Sequence, residues 1–208
     1  IGDKIKIGII NEKLGVGKII KINKYEAIIS FVLNKKTKSP NINVILAMPR
    51  PKVMNRLWEQ LASLGVNTIF IIGANKVEKC YFNSHTLKKE YYTPLLIKGL
   101  EQACCVNKPN IYIEPNIQNF FNQNIFLNSM HLNFIADVKS NYLISEFKNK
   151  INKSDSITVA IGPEGGWINN EINLFFKNDF IPICLGERIL RVDTATISII
   201  SIIRSLNI

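Results

Sequence analysis

The sequence predicts an α/β protein: a short antiparallel β region over residues 1–40, then a larger unit over 41–208 built on a parallel sheet with helices on both faces. Three observations predict it. Residues 1–34 alternate apolar and polar positions, with Ile5, Ile7 and Ile9 on one face and Gly15 and Gly17 punctuating the turns. After residue 44, short continuous apolar runs replace the alternation, and stretches with helical spacing separate them. Runs that are apolar at every position suit strands buried on both faces, as in a parallel sheet covered by helices.

Taken in order, Ile20, Ile22, Ile28 and Phe31 continue the alternation as short, half-buried strands. The polar stretch NKKTKSPNIN at 34–43, with its proline, reads as a linker. VILA at 44–47 is the first buried strand. From Lys52 to Leu64, the residues Val53, Leu57, Leu61 and Leu64 form one helical stripe, and Gly65 stops it. IFII at 69–72 is the next strand. A helix is predicted over 94–104, with Thr93 as N-cap and Pro94 at its first position. IYIE (111–114), LNFIA (132–136), ITVAI (157–161) and IPICL (181–185) are the remaining strands, and helical patterns lie at 117–127, 141–150, 169–178 and 193–206. The last, with its ISIISII, is apolar almost all round, which marks core or a subunit interface.

A chain of 208 residues that is 47% hydrophobic and 20% charged can bury a sizeable core. Its apolar runs are too short to span a bilayer, so no membrane partner is expected. The sequence opens mid-pattern without a methionine, so further residues are expected upstream. Cys80, Cys104, Cys105 and Cys184 form no CxxC pair, and His85 and His131 stand alone, so no metal site is assigned. The expectation is a reducing compartment, cytoplasmic or an organelle matrix, and buried thiols. The net charge is +10, and residues 1–40 hold nine lysines against three acids. Such a local excess suits a polyanion partner, although a Lys-, Asn- and Ile-rich composition can produce it without one.

The chemistry concentrates in two late turns. ITVAI runs into Gly162-Pro163-Glu164-Gly165-Gly166 and then into a helix carrying Ile172, Phe175 and Phe176. In a parallel α/β sheet, ligands bind outside the carboxyl ends of the strands. A phosphate-binding Walker loop would need a lysine here, and Glu164 would repel a phosphate. The turn therefore suits a ligand read through base and ribose hydrogen bonds, and it tolerates a positive centre such as a sulfonium. The second turn, LGERILRVDTAT at 185–196, repeats the arrangement after IPICL. Asp193 or Thr194 can cap its helix, and Arg188 and Arg191 stand beside the ligand loop or pair with Glu187 or Asp193.

IGPEGGW…NEI followed by LGERILRVDTA resembles the 16S rRNA uridine-N3 methyltransferase family of the SPOUT superfamily. That family's paired signature is a GPEGG turn and an LG-x-R-[IV]-LR-x-[DE]-TA turn about twenty residues apart. Glu101-Gln102, followed by Pro109 and Ile111, is similar to its Glu-Gln helix and exit. The resemblance implies a SPOUT-type parallel sheet with a C-terminal deep trefoil knot, preceded by a PUA-like RNA-binding β-barrel of which residues 1–40 hold the later strands. It implies a homodimer and S-adenosyl-L-methionine bound by three loops. Here those supply Ala136 from the first, Ile161 to Gly166 from the second, and Leu185, Gly186, Ile189, Leu190 and Thr194 from the third. RNA (ribosomal, by the resemblance) would meet Lys4, Lys6, Lys18, Lys21, Arg50, Lys52 and Arg188.

The chain departs from the family pattern at several places. Ile168 stands where Ser or Thr usually caps the helix, leaving Asn169 or Asn170 to do so. The Lys-rich entry to the first helix of the larger unit reads MPRPKVMNRL, an Arg-Ser pair becomes GANKVEK, and an arginine becomes Cys105. These positions face RNA in the resemblance, so another RNA target is an alternative to the uridine. Methylating uracil N3 requires loss of its proton and a cation near O2 or O4 to hold the developing charge. Arg191 is the candidate for that role or for an RNA phosphate, and Glu164 for a donor contact or proton acceptor. Two rival classes are an RNA-binding protein without turnover and a nucleotide-dependent enzyme.

Overall fold

The computed structural model describes residues 1–37, 41–123 and 131–206. The chain begins with an antiparallel sheet of β1 (Lys4–Gly8), β2 (Leu14–Ile22) and β3 (Ala27–Lys35). Lys4 lies opposite Lys18 and Lys6 opposite Val16, which puts the three lysines on one face. An irregularity between Ile19 and Lys21 returns Lys21 to that face, because Lys21 then pairs Ile28 while Ile19 pairs Ile29. The other face carries Ile5, Ile7, Ile19, Ile29 and Leu33, all half-buried.

The rest alternates strand and helix. In chain order come β4 (Ile42–Ala47), α1 (Pro51–Ser63), β5 (Thr68–Ile72), α2 (Lys89–Gln102), β6 (Asn110–Glu114) and α3 (Ile117–Asn122). Then follow β7 (His131–Ala136), α4 (Lys148–Ile151), β8 (Ser156–Ile161), α5 (Asn169–Phe176), β9 (Phe180–Ile183) and α6 (Val192–Leu206). The six strands form one parallel sheet in the order β6-β5-β4-β8-β7-β9. Every residue of β5 and β8 is buried, Thr68, Ser156 and Thr158 among them, as suits interior strands that are otherwise apolar.

Successive side chains point to opposite faces, so each strand feeds two cores. Val44, Leu46, Ile69, Ile71, Phe134 and Val159 pack with Met54, Leu57, Trp58 and Leu61 of α1, Leu96 and Leu100 of α2, and Ile199, Ile200 and Ile203 of α6. On the opposite face, Ile45, Phe70, Ile72, Ile135 and Ala160 pack with Phe120 and Phe121 of α3, Phe175 of α5, and Phe180. The small sheet docks on the segment after α2. The Asn11 N–H donates to Val106 O at 2.7 Å, the Lys108 N–H to Asn11 Oδ1 at 2.8 Å, and the Asn107 side chain to Thr37 O at 3.1 Å. Among the described residues, no helix is long and apolar enough to cross a membrane.

Several expectations need correction. The second helix starts at Lys89, not Pro94, and Pro94 lies inside it. Its extra turn is held by tertiary contacts: Tyr92 packs on Trp58 at 4.9 Å, and the Tyr91 hydroxyl donates to Asn55 at 2.8 Å. The buried stripe of α1 runs through Met54, Leu57, Trp58 and Leu61, while Val53 and Leu64 are only partly buried. Gly65 does end that helix, at φ +75°. The 141–150 pattern is a 3₁₀ turn (Ile144–Phe147) leading into α4. The pattern at 117–127 forms a helix only to Asn122, and its last four residues lie outside the described residues. None of the four free cysteines is buried: Cys80 and Cys104 are exposed, and Cys105 and Cys184 are intermediate. Cys104, Cys105 and Cys184 sit in connections beyond the ends of α2 and β9, and Cys80 in a 3₁₀ turn (Lys79–Asn83).

Candidate functional site

Because β7 lies between β8 and β9 in the sheet, the segments leaving these three strands converge, though β7 precedes both in the chain. Between them is a cleft of about 820 Å³. Ala136 to Lys139 line it from β7, Ile161 to Trp167 from β8, and Ile183 to Gly186 with Arg188 to Asp193 from β9. Arg50, Val53, Arg56 and Lys76 reach it from the β4 and β5 side.

The two glycine turns expose bare backbone to this cleft. Gly166 closes the first turn by donating its N–H to Pro163 O at 2.8 Å, and it sits at φ +71°. Gly186 sits at φ +101°, and a side-chain carbon at either position would meet nothing within 4 Å. Glycine is therefore required by the left-handed backbone rather than by crowding.

Each turn is tied across the sheet. Glu164 Oε1 accepts the Arg50 N–H at 3.2 Å, and Lys76 Nζ donates to Gly165 O at 2.7 Å. The buried Glu171 carboxylate takes the Asn75 N–H at 2.6 Å and the Ile168 N–H at 2.9 Å. The capping expected of Asn169 or Asn170 is thus done by Glu171, which reaches back to the N–H of Ile168, the residue just before the helix. Behind the turn, Trp167 packs on Phe175 at 4.8 Å. In the second turn, Arg56 Nη2 meets Asp193 Oδ2 at 2.6 Å. That hydrogen bond holds the Asp193 carboxyl below its ordinary 3.8, against an upward push from burial. Asp193 also accepts the Thr194 N–H at 3.0 Å.

Because Asp193 pairs with Arg56, it is not the ion-pair partner of either turn arginine. Arg188 and Arg191 are exposed at the cleft and make no ion pair among the described residues. Of the residues expected to hold the donor, all but Thr194 line the cleft. Of those expected to meet RNA, Arg50 and Arg188 line it. Lys52 is exposed on α1 outside it, and Lys4, Lys6, Lys18 and Lys21 form the separate face on the small sheet. Sequence reasoning missed Lys76 and Glu171 as site residues, and it gave the end of NFIAD a backbone role without singling out the Asp137 carboxylate. Lys76 carried a signal, a cation in GANKVEK at the end of a parallel strand. The contacts of Asp137 and Glu171 depend on strand order, which the sequence does not state.

Residues 36–204 match the model of the RNA methyltransferase domain family. A ribosomal RNA small subunit methyltransferase E of Treponema pallidum is 30% identical over 156 residues, which are 74% of this chain and 58% of that protein. The chain therefore spans less than two thirds of that relative. A ribosomal RNA small subunit methyltransferase E 1 of Borreliella burgdorferi is 28% identical over 94% of this chain and 81% of its own. In fold, the chain superposes with a TM-score of 0.82 on a ribosomal RNA small subunit methyltransferase E from Neisseria gonorrhoeae, solved bound to S-adenosyl methionine. The two are 18% identical, over 99% of this chain and 84% of the other.

Proposed function

The chain belongs to the RNA methyltransferase domain family, and from that premise we propose that it transfers a methyl group from S-adenosylmethionine to N3 of a uridine in small-subunit ribosomal RNA. The observation that carries this reading is the convergence of the GPEGG and LGERILR turns on one cleft. The cleft suits the donor chemically. Leu185, Ile189 and Leu190 offer apolar surface to an adenine, the glycine turns offer backbone hydrogen bonds, and neither GPEGG nor LGERILR carries a phosphate-binding lysine. The bound donor supplies an electrophilic methyl on a sulfonium.

The chain's own residues then orient the base and stabilise charge. Arg191, exposed at the cleft and without an ion pair among the described residues, holds the negative charge that develops on the uracil oxygens or the phosphate beside them. Glu164 is a brace more than a base, since its carboxylate already holds Arg50, and the N3 proton leaves to water at the open mouth. The lysine face of the small sheet binds RNA phosphates without reading sequence. The same reading takes residues 1–40 as strands of a PUA-like barrel, and 41–208 as a SPOUT domain with a C-terminal trefoil knot that pairs as a homodimer. The three-stranded antiparallel sheet and the apolar α6 support it. It places the protein in the cytoplasm or an organelle matrix.

The test is transfer of tritium from labelled S-adenosylmethionine to small-subunit ribosomal RNA, followed by nucleoside analysis. Labelled 3-methyluridine is the expected product. Labelled guanosine or ribose would overturn the substrate, and RNA binding without transfer would favour a non-catalytic RNA-binding protein. Arg191→Ala should lower transfer roughly 100-fold, in the range for losing one preorganised charge-stabilising donor. Full transfer with unchanged RNA affinity would remove Arg191 from the mechanism.

A further inference from the structure

Three carboxylates line the cleft: Asp137, Glu164 and Asp193. Asp193 is committed to this chain through both oxygens, to the Arg56 guanidinium and the Thr194 N–H, and Glu164 through one, to the Arg50 N–H across the sheet. Asp137 has its carboxylate bonded only within its own loop. Its Oδ1 accepts the Lys139 N–H at 3.0 Å, and its side chain makes no ion pair among the described residues. Its backbone is fixed, since the Asp137 N–H donates to Ile183 O at 2.9 Å and its carbonyl accepts the Ser140 N–H at 3.0 Å. It follows the last residue of β7, the strand between β8 and β9, so it stands between the two glycine turns. The remaining charge at the cleft is cationic, with Arg50, Lys76, Lys139, Arg188 and Arg191 around it. A sulfonium donor with its own ammonium group would enter a largely positive surround. Two lining carboxylates keep an oxygen that no ion pair or backbone N–H of the described residues takes, Asp137 and Glu164, and of these Asp137 stands between the two glycine turns.

We infer that the second oxygen of Asp137 accepts a hydrogen bond from the bound methyl donor, through its ribose hydroxyls or its α-ammonium group. The inference rests on the reading of the cleft as a methyl-donor site. Asp137→Asn isolates it, because the amide keeps the oxygen that holds Lys139 and replaces the other with an NH2 that cannot accept. Calorimetric titration of S-adenosylmethionine into the two proteins is the experiment. Loss of a charge-assisted hydrogen bond should weaken binding by about ten- to hundredfold, with the thermal unfolding of the unliganded proteins alike. 5′-Methylthioadenosine keeps the ribose and lacks the ammonium. An equal loss with it assigns the contact to the ribose, and an unchanged affinity assigns it to the ammonium. If Asp137→Asn binds S-adenosylmethionine as the parent does, the inference is wrong while the donor site stands. If the parent itself does not bind it, the donor site is wrong and the inference falls with it. Should the asparagine variant unfold, Asp137→Ser, whose hydroxyl can take the Lys139 N–H, carries the same expectation.

Discussion

Replacing Glu171 by alanine should destabilise the whole protein by an amount that can be worked out from two distances. The carboxylate is 5% exposed and receives the Asn75 N–H at 2.6 Å and the Ile168 N–H at 2.9 Å. Hydrogen bonds to a charged group contribute roughly 1.5–3 kcal/mol each. The two share one carboxylate, so their losses do not add in full. Water can reach the exposed Asn75 when the acid is gone, which limits the penalty on that side. The expected loss is about 3 kcal/mol, and at about 2–4 °C per kcal/mol for a chain of this size it lowers Tm by roughly 6–12 °C. Glu171→Gln should fall between, because one acceptor remains and its NH2 is turned toward a donor. Differential scanning calorimetry and urea unfolding both read the change. A Glu171→Ala protein within about 0.5 kcal/mol of the parent would refute the reasoning, since that is the range of an ordinary surface substitution.

Phe175→Ala should cost about 3–5 kcal/mol in urea unfolding, because its ring is fully buried against Phe121 at 5.0 Å, Phe180 at 4.9 Å and Trp167 at 4.8 Å; a smaller loss would mean that this aromatic layer collapses around the gap. The Arg56–Asp193 pair predicts a pH dependence. Asp193 has a folded value lowered below 3.8, so its contribution is complete above that value and disappears as pH falls through the lowered one. Arg56→Gln should therefore be less stable than the parent at pH 7 by up to about 1 kcal/mol, and the two should converge below pH 3.8; a gap that widens in acid would contradict the pairing. Replacing Lys4 and Lys18 together, which face each other across β1 and β2, should weaken RNA binding for all sequences alike and flatten its dependence on salt. An unchanged salt slope, measured by filter binding, would take that face out of the RNA path.

What the sequence made legible follows from which interactions are local. IFII is apolar at every position and ITVAI at all but Thr158, and a run of that kind has few homes other than a central parallel strand, so the sheet could be read directly. The glycine turns were legible for a similar reason, since their position at strand ends and their composition are properties of a few adjacent residues. Strand order is a long-range property. Nothing in residues 131–183 says that β7 lies between β8 and β9, and the position of Asp137 between the two turns depends on that order. Pro94 shows a different limit. The first-position preference of proline is a matter of local backbone, and the packing of Tyr92 on Trp58 overrode it from a helix more than thirty residues earlier in the chain.

The glutamate of GPEGG can now be given a physical role. A turn that must present bare backbone to a ligand cannot also be stiffened by its own side chains, because glycine has none. Its rigidity has to come from outside, and here it comes from the other half of the sheet. Glu164 reaches the β4–α1 connection, Lys76 and Asn75 reach in from the connection after β5, and Arg56 of α1 holds the start of α6. These four contacts join the β4–β5 side of the sheet to both signature turns. Preorganised backbone dipoles are effective because they do not have to be ordered when the ligand arrives. A negative residue in the turn is then consistent with a neutral cradle: Glu164 turns part of its charge toward an N–H of this chain, and the backbone of its neighbours is left for the ligand.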